Sequence, residues 1–177
     1  MSSTIRTFAW SSLLSLALAQ TATLQFFNQD TACASGFFAQ CTNLPPNDCC
    51  FVGGLATCAN WQADNGANGV ASWFLANNQN QCGIILISAD NNVCVCPDGD
   101  PIISAGNWAL AGRAINENED CNPVGPDVFG WKEENGATWL LHQEDNTAVF
   151  DQVTEAIAKN STDQHIGDLI KEHGVKN

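Results

Sequence analysis

The chain has 177 residues, 45% of them hydrophobic, which is enough for one domain with a real core. It carries 6 Lys and Arg against 19 Asp and Glu, a formal net charge of −13. That balance excludes a binder of nucleic-acid phosphates and a protein held on an anionic membrane surface, because both need clustered cations.

The first segment, residues 1–19, reads as a signal peptide. Arg6 and the terminal amine make a positive start, Phe8 to Leu18 an apolar run, and Ala17-Leu18-Ala19 a small-x-small cleavage site. Cleavage after Ala19 leaves Gln20 as the new N-terminus. The apolar run is roughly half the ~20 residues a spanning helix needs, so a secreted, extracellular product without stable membrane insertion is expected. Its 158 residues carry a net charge of −14, because Arg6 is lost and no acid is.

Residues 20–140 read as a cysteine-rich β domain. Thr21–Phe27, Gly36–Cys41, Leu55–Trp61, Val70–Leu75, Gly83–Ser88 and Val93–Cys96 are short apolar or alternating runs. Turn formers separate them: Asn28-Gln-Asp30, Pro45-Pro-Asn-Asp48, Gly53-Gly54, Asp64-Asn-Gly66, Asn77–Asn80 and Asp98-Gly-Asp100. This rhythm predicts a mainly β fold, a small antiparallel sandwich stapled by disulfides. A weak repeat runs through it. Phe26-Phe27, a polar loop, Cys33 and Gly36-Phe37-Phe38 match Trp73-Phe74, a polar loop, Cys82 and Gly83-Ile84-Ile85. Two such hairpins stacked face to face would bury what neither buries alone.

All nine cysteines follow Ala19: Cys33, Cys41, Cys49, Cys50, Cys58, Cys82, Cys94, Cys96 and Cys121. In an exported chain they are disulfide candidates. The odd number implies four bridges and one spare thiol, but eight cysteines allow on the order of a hundred pairings. Two local rules apply. Adjacent Cys49 and Cys50 strain a mutual bond, so each seeks its own partner. Cys94 and Cys96, two apart on an expected strand, face one side and also seek separate partners.

Residues 141–177 change period and read as a helical extension or tail. Val149, Phe150, Val153 and Ile157 share one helical face, with Asn146 or Thr147 as cap. A second helix over Asp163–His173 gathers Ile166, Leu169 and Ile170 behind Ser161 or Thr162, and Gly167 weakens it. Between them Asn160-Ser161-Thr162 is a glycosylation sequon.

The order Leu24-Gln-Phe-Phe-Asn28, Gly36–Cys41, Asn43-Leu-Pro45, Cys49-Cys50 and a second aromatic–loop–Cys–Gly unit resembles fungal small secreted cysteine-rich, effector-like proteins. Over about residues 22–110 it also resembles the βγ-crystallin Greek key. The resemblance implies an all-β sandwich and an extracellular or host partner. It implies no dependable calcium site, since Ala105 follows Gly99–Ser104 where the crystallin signature has a second hydroxyl.

Residues that carry chemistry are scattered. His142, His165 and His173 all lie near the C-terminus, and no Gly-x-Ser-x-Gly occurs. Glu117, Glu119, Asp120, Glu133, Glu134, Glu144 and Asp145 offer carboxylate pairs, as any acidic surface does. No Cys-x-x-Cys invites zinc. The expectation is a non-enzymatic, effector-like or extracellular recognition protein without cofactor or metal; the alternatives are a carbohydrate-binding module using exposed Trp and Asn, and a secreted hydrolase whose site the sequence does not reveal. Trp131 and Trp139, flanking the turn Lys132–Gly136, are the aromatics best placed to face a ligand, a glycan among the partners considered.

Overall fold

The structure is a computed structural model; it describes residues 20–29, 32–75, 82–99, 102–112 and 123–177. The signal segment, Asp30, Asn77–Asn80, Asp100, Glu117, Glu119, Asp120 and Cys121 lie outside the described residues.

The described residues form eleven strands, two α-helices and a one-turn 3-10 helix, Asp64–Gly66. Strands β1 (Ala22–Phe27), β2 (Gly36–Leu44), β4 (Cys58–Ala63), β9 (Val128–Lys132), β10 (Thr138–His142) and β11 (Val175–Lys176) make one sheet, in the order β11-β10-β9-β2-β1-β4. Strands β3 (Cys49–Ala56), β5 (Gly69–Leu75), β6 (Ile84–Asp90), β7 (Ile103–Leu110) and β8 (Pro123–Val124) make the second, in the order β6-β5-β7-β3-β8. Every pairing is antiparallel except β3 with β8. The fold is the mainly β, sandwich-like arrangement expected from the rhythm of short runs and turns.

Alternation in the strands builds the core. Ala22, Leu24 and Phe26 of β1, Ala59 and Trp61 of β4, and Ala71 and Trp73 of β5 are buried in one cluster with Trp108 of β7. Phe26 meets Trp73 edge to face at 5.2 Å, and Trp61 stacks on Trp108 at 5.8 Å. Each such aromatic pair adds about 0.5–1.5 kcal/mol to the burial of its area. The indole nitrogens of Trp61 and Trp108 donate to the carbonyls of Ala89 (3.0 Å) and Leu44 (2.8 Å). Gly106 is required beneath Trp73, since a Cβ there would lie 2.5 Å from the ring.

The repeat seen in sequence is present in space. Phe26 and Trp73, its equivalent first aromatics, make the contact between the sheets. Its second aromatics take equivalent partners on the outer faces: Phe27 lies opposite Phe38, and Phe74 opposite Ile85. Each outer pair sits in a small cluster with the cysteine of its own unit, Cys33 in one and Cys82 in the other.

Four bridges hold this frame: Cys33–Cys94, Cys41–Cys50, Cys49–Cys82 and Cys58–Cys96. As expected, Cys49 and Cys50 part to different partners, and so do Cys94 and Cys96. Cys41–Cys50 joins β2 to β3 and so ties the two sheets. Cys33–Cys94, with a sequence separation of 61, closes a long loop; loop-closure entropy makes it worth about 4 kcal/mol.

Three local expectations are corrected. Leu55–Trp61 is not one strand. Ala56 pairs with Ile103 in the second sheet and Cys58 with Phe27 in the first, so the chain changes sheets at Thr57. Gly53-Gly54 is not a turn between elements but a bulge inside β3, with φ of 73° and 83° that favour glycine. Val93–Cys96 is not a strand. Only Val95 pairs, with Ala59, through two 2.8 Å bonds. It covers the open edge of β4, and the two neighbouring bridges hold it there.

The helices α1 (Thr147–Ala158) and α2 (Asp163–His173) dock. β10 runs two residues into the segment read as helical extension. Asn146 caps α1 by accepting from the Val149 N–H, and Thr162 caps α2 by accepting from the His165 N–H. Phe150 of α1 stacks on Phe129 of β9 at 4.2 Å, and Val153, Ile166 and Ile170 enter the main core. The pair therefore covers that part of the first sheet which the second does not reach.

Gly167 has a reason in this packing. A Cβ there would stand 2.7 Å from Cδ2 of Trp131 and closer still to Cε3. Helix propensity alone predicts that Gly167→Ala stabilises by up to about 1 kcal/mol. The Trp131 ring reverses the sign: a loss of about 1–3 kcal/mol is expected in urea unfolding, as for overpacking elsewhere.

Candidate functional site

Among the described residues two concavities are the larger, and one of them is lined in part by α1. The first is a polar recess of about 480 Å³. Gln29, Ser35 and Gly36 form one side; the hairpin residues Trp131 to Asn135 form the other. Local hydrogen bonds hold the hairpin. The Glu133 N–H bonds to the Ala137 carbonyl (2.8 Å), and Asn135 Oδ1 accepts from the Ala137 N–H (2.8 Å). Lys132 Nζ reaches back to the Cys33 carbonyl (3.2 Å). Gln29 and Asn28 donate to the two carboxylate oxygens of Asp163, at 2.5 and 2.6 Å, which pins the recess to the start of α2.

The second concavity is a cleft of about 390 Å³ at the seam between the second sheet and α1. Phe51, Val52 and Leu55 of β3 make one wall, and Phe150, Thr154 and Ile157 of α1 the other. Phe129 lies at its floor, where it stacks on Phe150. Gln143 and Asp151 stand exposed at its rim.

Trp131 and Trp139 are half-buried and pack on the main core. Lys171 Nζ lies 5.3 Å from the Trp131 ring centroid and Lys176 Nζ 5.5 Å from that of Trp139, so each ring carries a cation. Trp131 also borders the polar recess. Trp139 does not line it, and its indole nitrogen is buried with no protein partner among the described residues.

Of the carboxylate candidates, Glu133 and Glu134 line the polar recess; the histidines, the sulfur cluster and Asn160 line neither cavity. His142 is half-buried on β10, whereas His165 and His173 are exposed on α2. The sulfurs of Cys58, Cys94 and Cys96 lie within 4.8 Å of one another, but they belong to two neighbouring disulfides. Asn160 is exposed in the turn between the helices, with φ of 53°. The seam cleft was not legible in the sequence. Phe51 belonged to no expected strand, Leu55 was placed in another one, and Ile157 read as part of a buried stripe.

Two surface carboxylates on the helices have cationic neighbours. A hydrogen bond from Lys159, with its charge, holds Glu155 below the usual carboxylate range. Hydrogen bonds from Lys171 and then Gln164 do the same for Asp168. Because both folded-state values are depressed, their support of α1 and α2 is complete above the ordinary carboxylate pKa. It is lost as pH falls through the depressed values. Side-chain carboxyl NMR titration is expected to place both midpoints below those of unpaired glutamates and aspartates in the same chain, and Lys159→Ala to return Glu155 to the ordinary range.

A family model named ARB_05566_N, described as an N-terminal domain, matches residues 23–128. No curated protein and no solved structure matches the chain. The matched span runs from the second residue of β1 to the first residue of β9 and holds the four described bridges.

Proposed function

Taking as premise that the chain belongs to the ARB_05566_N family, we propose that it is an exported, non-enzymatic protein that recognises a polar extracellular ligand, a glycan being the best match. The polar recess carries this reading. It sets the half-buried Trp131 beside two amides, Gln29 and Asn135, two carboxylates, Glu133 and Glu134, and one cation, Lys132. Sugars present alternating apolar C–H faces and hydroxyls that both donate and accept, so a site combining an indole with amides and carboxylates suits them. Four bridges support an oxidising destination. No described helix is long and apolar enough to cross a membrane. Recognition of this kind includes an effector-like action on a host or neighbouring organism, which is the sense in which the resemblance over residues 22–110 is kept.

Binding is tested by retention on insoluble chitin, cellulose and glucan. Retention on one of them is expected, with loss in Glu134→Ala and Trp131→Ala. Thermal melts separate loss of the site from loss of the fold, because Glu134 is exposed and its replacement leaves the core intact. If the wild-type protein passes all three matrices unretarded, the glycan reading fails.

Export is tested on the secreted protein by non-reducing peptide mass mapping. The expected result is an N-terminus at Gln20, the four bridged peptide pairs above, and a glycan mass on Asn160 that disappears in Asn160→Gln. A mature chain that still begins at Met1 contradicts export.

A further inference from the structure

The seam cleft lies apart from the polar recess, and its chemistry is different. It exists because the layer facing the first sheet is built in two pieces. One is the second sheet, which on this side ends in β3 and the two-residue β8; the other is α1 and α2. The bulge at Gly53-Gly54 brings Gly53 to the rim. Phe51, Leu55, Phe129, Phe150 and Ile157 line the gap. Core packing does not close it, since Phe51, Leu55 and Ile157 remain only half-buried.

The volume, about 390 Å³, lies within the range of roughly 300–1,000 Å³ typical of small-molecule sites. Phe129 and Phe150, stacked on each other and almost fully buried, make its bottom apolar. At the rim Asp151 supplies a carboxylate and Gln143 an amide, and both are exposed. The whole chain adds a negative field, with a formal charge of −13. Such a cleft attracts a cation at its mouth and repels an anion. From this we propose that the seam cleft binds a small, largely apolar molecule ending in an amine, with its ring or chain against Phe129 and its ammonium beside Asp151.

A matched set of probes tests this: naphthylmethylamine, naphthylmethanol and naphthoate share one apolar body and differ only in the polar end. Binding is followed by titration with NMR mapping on the full secreted protein. The amine is expected to bind more tightly than the alcohol, and more tightly than the carboxylate by about tenfold or more, roughly the effect of a single good charge contact. Shifts should fall on Phe51, Phe129, Phe150 and Asp151. Asp151→Asn should reduce the preference for the amine while the alcohol still binds. Thr154→Trp, which fills the cleft from an exposed helix position, should abolish binding of all three probes and leave the melting temperature close to wild type. If no probe binds, the cleft is a packing seam and the proposal falls. If the carboxylate binds as well as the amine, the cleft is a site but the ligand class is wrong. Neither outcome bears on glycan retention by the polar recess.

Discussion

Phe26 and Trp73 meet edge to face between the two sheets, 5.2 Å apart, and the rest of the architecture keeps that contact dry. Each ring comes from the aromatic end of a two-stranded hairpin, and an isolated hairpin is marginally stable at best. Gly106 gives Trp73 room on the neighbouring strand. Cys41–Cys50 prevents the sheets from separating beside it, and Trp61 with Trp108 extends the same layer. A chain of this size that is read as exported combines a modest core with covalent ties, because burial and loop entropy together must outweigh the cost of ordering the backbone.

That contact also explains how the molecule is finished at its margins. The first sheet is wider than the second, so part of its inner face needs another cover. The two helices supply it, by stacking Phe150 on Phe129 and seating Gly167 under Trp131. The edge of β4 is closed by the segment around Val95, held by two adjacent disulfides. Where the two covering pieces meet, they leave the apolar seam cleft. The polar recess lies elsewhere, between the connection from β1 to β2 and the Trp131 hairpin. The seam cleft thus arises at a join between separately packed pieces, which is where ligand pockets commonly form.

The matched family span and the folded unit have different limits. The span ends at Val128, the first residue of β9, yet β9 pairs along its length with β2. Residues beyond the span complete the first sheet and bury Phe37 and Phe129 against each other. The C-terminal segment, which reads from sequence as an extension, is part of the core in this chain.

Much was legible from local pattern. Alternation marked β1, short apolar runs between turn formers marked β2, β5 and β6 to within a few residues, and the stripe Val149, Phe150, Val153 marked the buried face of α1. The aromatic–Cys–Gly repeat pointed to two hairpins face to face, and the adjacency of Cys49 and Cys50 to separate partners. These features depend on neighbours in the chain, which is why one sequence reveals them. The tertiary structure decided what depends on distant residues. It set which cysteine meets which, the change of sheet at Thr57, and the bulge that replaces a turn at Gly53-Gly54. It also decided that Trp131 packs on a helix glycine while its edge borders a recess, and that Phe51 and Ile157, about a hundred residues apart, face one cleft. A cavity is the space left when separate elements meet, and no local period in the sequence encodes it.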